Sequence, residues 1–229
     1  MATTMDRGEA LRRLLAEEIE LRNHAERVAA MRRELAPGRE LQDYVFEEGP
    51  ADLSRNDPKD FKKTKLSELF APDKDELFIY HLMYGPGWEA ACPMCTLWVD
   101  GLNGIAGYVK ERANFVVIAK NNLAAIREYA KKRGWNNLRL LSSHDSTFNR
   151  DLEAEEPDGG QNPGVSILVR GKDGKIRHFY SKWAPLDDEH NRGIDFLSPV
   201  WNVFDLLPSG RGEWYPTGWW GFMEDDKAK

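Results

Sequence analysis

The chain has 229 residues, a net charge of −6 and an isoelectric point near 5.5, enough length for one large domain or two small ones whose core needs no staples. A composition of 41% hydrophobic and 31% charged residues is that of a soluble globular protein. The acidic balance excludes a general nucleic-acid binder, which needs a dense cationic face, and no apolar run approaches the ~18 residues of a membrane span.

Taken from the start, "MATTMDRGEALRRLL" holds no apolar stretch with a small-residue cleavage site, so the expected location is the cytoplasm. Residues Asp6 to Leu35 read as one long helix ended by Pro37-Gly38. Leu14, Leu21, Val28 and Leu35 recur every seven residues, but the companion column (Leu11, Glu18, Ala25, Arg32) completes only half a coiled-coil seam. The helix is expected to dock on its own domain or on a second copy. "DYVFEEG" (Asp43 to Gly49) reads as a short strand, followed by a polar linker to about Lys65, and the basic runs "KKTK" and "KKR" as solvated helix surface. A helical turn at Leu66 to Phe70 precedes "LFIYHLMY" (Leu77 to Tyr84), apolar enough for a strand buried on both faces.

Further on, Thr96 to Arg112 is helical, "NFVVIA" (Asn114 to Ala119) a strand, Asn122 to Gly134 a helix with an Asn start and Gly stop, and "LRLLSS" a strand. The polar stretch from His144 to Pro163 is expected to be a surface insertion or flexible loop. Gly164 to Ser181 is a hairpin turning at Asp173-Gly174. This β, α, β, α, β, hairpin order predicts an α/β fold, a mixed sheet flanked by helices. The aromatic tail beyond Gly193 is expected to wrap the domain, to form a lid, or to make a subunit interface. The expected division is a helical extension over 1–40, a domain over 41–190 and an aromatic extension over 191–229.

The chain holds two cysteines, Cys92 and Cys95, in "GPGWEAACPMC" between a buried strand and a helix. A helix N-terminus offers free N–H groups and the positive end of the macrodipole, which favour a thiolate at Cys92. Pro93 suits the first helical position, where a missing N–H costs nothing. The i, i+3 spacing brings Cys95 over Cys92, within reach of a strained disulfide. C-x-x-C beside a βαβ pattern is a redox signal. Two cysteines cannot make a Cys₄ metal site, and no H-x₃₋₅-H pair exists among the histidines; a Cys92, Cys95, His81 site is conceivable, though a lone His on an apolar strand is more often a hydrogen-bonded core residue. Gly101, Gly104 and Gly107 lie inside a helix, not between strand and helix, which rules out a Rossmann phosphate loop.

"LSELF", "ELFIYHLMYGPGWEAACPMC", "FVVIAK", "LSSHDSTFN" and "RGIDFLSPVWNVFDLLPSGR" together resemble the thioredoxin-like domain-of-unknown-function 899 family, from about Leu11 to Gly210, with the closing "GEWYPTGWW" outside it. The resemblance implies a thioredoxin-like fold. By comparison with the wider thioredoxin group it implies that Trp88, four residues before Cys92, flanks the sulfurs, and that Cys-Pro-Met-Cys is similar to the glutaredoxin pair. Pro86 stands where thioredoxins keep a buried acid, so Cys95 would need Glu89, His81 or water as its base. Glu89 also stands where peroxiredoxins keep a threonine, which counts against peroxidase chemistry. Pro163, or failing it Ser166, is the candidate for the cis-proline position beside the cysteines.

The expected activity is thiol–disulfide exchange with a protein or small-molecule thiol or disulfide, Cys92 attacking and Cys95 resolving, without a cofactor. The alternative is a binding or sensor protein whose cysteines hold a soft metal such as Cu(I) or report oxidation. No nucleic-acid or membrane partner is expected, and a homodimer through the N-terminal helix or the aromatic tail stays open.

Overall fold

A computed structural model describes residues 6–187 and 189–216. The chain divides after Pro37 into two units. The first is α1 (Arg7–Arg33), capped by Asp6, whose carboxylate accepts the Glu9 N–H at 3.3 Å. None of its residues is buried.

The second unit carries the sheet. Its strands are β1 (Val45–Glu48), β2 (Lys62–Lys65), β3 (Glu76–Leu82), β4 (Asn114–Ala119), β5 (Leu140–Ser142), β6 (Gly164–Arg170) and β7 (Ile176–Trp183). Its helices are α2 (Pro93–Arg112), α3 (Leu123–Arg133), α4 (Phe148–Asp151) and α5 (Pro199–Asp205). These strands form one mixed sheet in the order β2-β1-β5-β4-β3-β6-β7, with β3, β4 and β5 parallel and the remaining pairings antiparallel.

Central β3 is nearly all apolar because both its faces are covered: Leu77, Ile79 and Tyr80 are fully buried. Its side chains alternate. Tyr80 and Leu82 enter the core beneath α2 and α3, whereas Leu77 and Ile79 enter a second core with Phe46, Leu66, Phe148 and Leu168. The β3–α2–β4 unit, with the β6–β7 hairpin antiparallel on the other side of β3, is the thioredoxin-type arrangement. The fold is α/β and thioredoxin-like, with a long N-terminal helix.

Two readings of the sequence are corrected. "KKTK" is not helix surface but β2, the edge strand paired with β1. Thr64 points inward while the lysines face solvent, a common way of keeping an edge from pairing with other chains. Nor is 144–163 a flexible insertion. It carries the chain from β5 back to β6 past β4 and β3, and buries Phe148, Asn149, Leu152, Ala154 and Gln161 on the way.

The segment after β7 packs on the same unit. The Trp98 indole N–H of α2 donates to the Ile194 carbonyl at 3.0 Å, and Ile194 and Trp201 are buried in the α2-side core. Trp219 and Trp220 of the expected aromatic extension lie outside the described residues. Among the described residues no helix is long and apolar enough to cross a membrane.

Candidate active site

The segment between β3 and α2 folds back so that Cys92 meets Met83, the residue just past the end of β3. Gly85-Pro86-Gly87-Trp88 is a tight turn closed by the Trp88 N–H on the Gly85 carbonyl (3.2 Å), with Gly87 at φ +77°, where other residues are strained. The Trp88 indole folds over Gly85, where an added Cβ would lie 3.1 Å from its Nε1. Glu89 follows, exposed, its carbonyl accepting the Tyr84 hydroxyl at 3.3 Å.

Cys92 is the N-cap residue of α2 and Pro93 its first helical position. The Cys92 N–H donates to the Met83 carbonyl at 3.0 Å. Its own carbonyl accepts the Thr96 N–H at 2.9 Å and the Thr96 hydroxyl at 3.0 Å. With its proton so engaged, Thr96 Oγ1 accepts from the Tyr129 hydroxyl at 2.8 Å. The cysteine backbone is thus fixed from β3, from α2 and from α3.

Both cysteines are thiols, Cys92 half-buried and Cys95 fully buried. Their environments separate them. The Cys92 thiol is held down to about 6, chiefly by the hydrogen bond from Cys95; burial opposes this, and the Cys95 and Met94 N–H groups and the Tyr215 hydroxyl assist. Those N–H contacts fall short of a full side-chain cap, but they turn the positive end of the helix toward the sulfur and favour its charged form. Burial, then the hydrogen bond and the charge of Cys92, push the Cys95 thiol well up. Near neutral pH the pair is therefore a thiolate at Cys92 receiving a proton bond from a buried thiol at Cys95. The Tyr80 hydroxyl, buried and outside ordinary hydrogen-bond geometry, faces Cys95 from β3.

The other candidates are dispersed. His81 follows Tyr80 and so projects from the opposite face of β3, between Phe148 (6.0 Å) and Trp183 (5.4 Å). Its Nε2 bonds the Ser166 hydroxyl at 2.8 Å, which meets the Ser181 hydroxyl at 2.7 Å. This placement removes His81 as base for Cys95 and leaves the Cys92, Cys95, His81 metal set unassembled; the two sulfurs are what a soft cation would find. Ser166 lies on that far face too. Pro163 leads into β6, where Gly164 pairs with His81 of β3, and its carbonyl accepts the Ala184 N–H. Its peptide bond is trans, so the expected cis-proline is corrected.

A cleft of about 690 Å³ is lined by residues of Glu48–Leu53, of the Gly104–Glu111 part of α2 and of Asn136–Leu140. It begins nine residues beyond Cys95, roughly 14 Å along the helix, and neither cysteine lines it. The cysteine pair is at the other end of α2.

Three contributors escaped the sequence reading: Tyr80, the Thr96–Tyr129 pair and Tyr215. Alternation along β3 could have indicated Tyr80, since Tyr80, Leu82 and Tyr84 share the α2 face. No local signal marks Tyr215, which helps to lower the Cys92 thiol from 123 positions away.

Solved structures similar to this chain include the AhpC of Mycobacterium tuberculosis, with a TM-score of 0.48 at 14% identity, covering 76% of this chain and 97% of that one. The reduced 2-Cys peroxiredoxin of Plasmodium vivax gives a TM-score of 0.47 at 15% identity, covering 73% and 94%. Oxidized Prx3 from Vibrio vulnificus gives 0.40 at 15%, covering 63% and 88%. No curated protein matches the sequence. A family model described as "Bacterial protein of unknown function (DUF899)" matches residues 3–226, which includes the closing aromatic stretch that the resemblance had left outside. With nearly its whole length matched, helix, cysteine turn and aromatic tail alike, the chain belongs to the DUF899 family of bacterial proteins.

Proposed function

We propose that the protein is a thiol–disulfide oxidoreductase. The observation that supports this best is the split within the pair: a half-buried Cys92 held as thiolate, hydrogen-bonded by a buried Cys95 held as thiol. A nucleophile available at neutral pH beside a second thiol that cannot compete for substrate is what two-step exchange requires.

In the first step the Cys92 thiolate attacks one sulfur of a protein or small-molecule disulfide. A Cys92–substrate bond forms, the substrate S–S bond breaks, and the leaving thiolate takes a proton from water. Charge on Cys92 is thereby lost, and with it both the hydrogen bond and the repulsion by which that sulfur opposes ionising Cys95. Cys95 then gives up its proton, with the Tyr80 hydroxyl facing the developing charge, and attacks Cys92. The Cys92–Cys95 disulfide forms and the second substrate thiolate departs. Two electrons have passed from the pair to the substrate. Water is the proton acceptor we assign, since His81 faces elsewhere and Glu89 is exposed on the turn.

A redox titration in glutathione and dithiothreitol buffers, read by alkylation and intact mass, tests this. The expected result is a reversible two-electron transition between roughly −270 and −200 mV, abolished in Cys92→Ser and in Cys95→Ser. A pair that never forms a disulfide, or stoichiometric bound metal in the same anaerobic sample, would overturn it in favour of a thiolate binding site.

A further inference from the structure

On the face of the sheet away from the cysteines, four polar side chains of three strands are joined end to end. His81 Nε2 of β3 meets Ser166 Oγ of β6 at 2.8 Å, Ser166 Oγ meets Ser181 Oγ of β7 at 2.7 Å, and Ser181 Oγ meets His178 Nε2 at 2.8 Å. A β-bulge makes the last contact. Ile167 pairs with Tyr180 but Leu168 with His178, so Phe179 is an extra residue in β7. On a regular strand residues three apart face opposite sides, and the bulge brings His178 and Ser181 to the same one.

The relay has a direction. His81 and Ser166 are buried, and His81 Nδ1 has no hydrogen-bond partner among the described residues. A buried N–H without an acceptor is avoided more strictly than a bare lone pair, so the His81 proton sits on Nε2 and is donated to Ser166. Ser166 then donates to Ser181, and Ser181 to His178 Nε2. His178 is left with its own proton on Nδ1.

Acid acts on the outer end. His178 is half-buried and faces Arg39, from the segment paired along the outer edge of β7, and Glu153, from the crossing that follows α4; across the sheet the titrating group is His81. A proton taken up on His178 Nε2 points at the Ser181 proton. Turning the relay round to accept it would push the His81 proton onto Nδ1, where nothing receives it. The charged ring also opposes Arg39, whose carbonyl accepts the His178 N–H at 3.0 Å, while the Gly38 N–H donates to the His178 carbonyl at 2.7 Å.

We propose that His178, Ser181, Ser166 and His81 form a one-way proton relay that works as an acid-sensitive latch. While His178 is neutral the relay holds its ring and residues 38–41 stay paired on β7; when His178 takes up a proton its ring leaves Ser181 and that segment loosens. The latch is independent of the thiol chemistry on the other face.

Nitrogen-15 NMR of the histidine rings, followed from pH 8 to pH 4 in wild type, Ser166→Ala and His81→Gln, tests the relay. At the upper end His81 should be protonated on Nε2 and His178 on Nδ1. Neither variant touches a partner of the His178 ring, yet each releases the direction of the relay: the alanine has no hydroxyl to pass on, and the glutamine amide can accept from Ser166 as well as donate. The His178 midpoint should therefore rise by about half a pH unit or more in both, because a hydrogen bond that favours the neutral ring is no longer enforced. Ser166→Ala strands the His81 N–H, so His81→Gln carries the test if that variant does not fold. In wild type the hydrogen-exchange protection of the Gly38 amide should fall as His178 titrates, while that of the Val117 amide, bonded to the Arg139 carbonyl between β4 and β5, stays. The proposal is overturned if His178 carries its proton on Nε2 at neutral pH, if its midpoint is the same in wild type and His81→Gln, or if the Gly38 amide keeps its protection throughout.

Discussion

His81 shows how one side chain on a sheet can be misread for want of knowing its face. It is 1% exposed, its Nδ1 has no partner, and burial, aided by repulsion from His178, drives its pKa down to about 3. The folded value lies below the ordinary ~6.5 of an unfolded chain, so the unfolded state takes up the proton first. The stabilisation is fully present above pH 6.5 and is lost progressively as the pH falls toward 3, with a slope on the order of 1 kcal/mol per pH unit. His178, half-buried with Arg39 and Glu153 nearby, is also lowered and adds to that slope. His81→Gln retains a hydrogen bond to Ser166 and cannot titrate, so urea unfolding at pH 7, 6 and 5 should show a flatter dependence than wild type. An unchanged slope would mean that His81 does not carry the effect. The cysteine pair was legible in the sequence because its chemistry depends on local spacing and on a helix N-terminus. The face taken by His81 was not, since a strand apolar at almost every position has no polar alternation to mark its two sides.

At the scale of elements, the legible parts were those with punctuation. Asn122 caps α3 by accepting the Ala125 N–H at 2.9 Å, and Gly134 ends it at φ +70°; Gly174 turns the β6–β7 hairpin at φ +76°. β2 was missed because four residues with three lysines carry too short an alternation to register. The crossing that contains α4 was missed because its buried residues are interleaved with Asp and Glu. The start of α2 was placed correctly, but not what fastens it. Thr96 is fully buried, with its hydroxyl between the Cys92 carbonyl and the Tyr129 hydroxyl. Thr96→Val keeps the shape and removes both bonds, taking the Thr96 partner from the Tyr129 hydroxyl while the Cys92 carbonyl keeps the Thr96 N–H, for an expected loss of about 1–2 kcal/mol in urea unfolding. Tyr129→Phe removes only one end of the chain of bonds and should cost less. In the double variant the two losses should fall short of their sum, because each single change already breaks the shared bond. Strict additivity would contradict that coupling.

For the molecule as a whole, the pair links redox state to stability. In the reduced protein the folded Cys92 titrates at about 6, while an unfolded cysteine titrates near 8.5. Its pKa is depressed, so the stabilisation builds as the pH rises from about 6, is complete above the unfolded value, and is lost again as the pH falls through 6. Discounted for the partial exposure of Cys92, this amounts to on the order of 1–2 kcal/mol at pH 8.5. The disulfide abolishes it, but closes a four-residue loop that constrains the unfolded chain by about 2 kcal/mol at any pH. The two effects are comparable, so their balance depends on pH. Unfolding of the oxidised and reduced proteins at pH 6 and pH 8.5 should show the advantage of the disulfide form shrinking by that 1–2 kcal/mol at the higher pH. Titrating groups away from the two sulfurs are common to both forms and cancel in the difference, His81 included. The raised Cys95, also absent from the oxidised form, offsets the Cys92 gain by only about 0.4 kcal/mol at pH 8.5, where an unfolded thiol is half ionised. A gap of equal size at the two pH values would mean that the folded chain does not stabilise the Cys92 thiolate, and the basis for an attacking Cys92 would go with it.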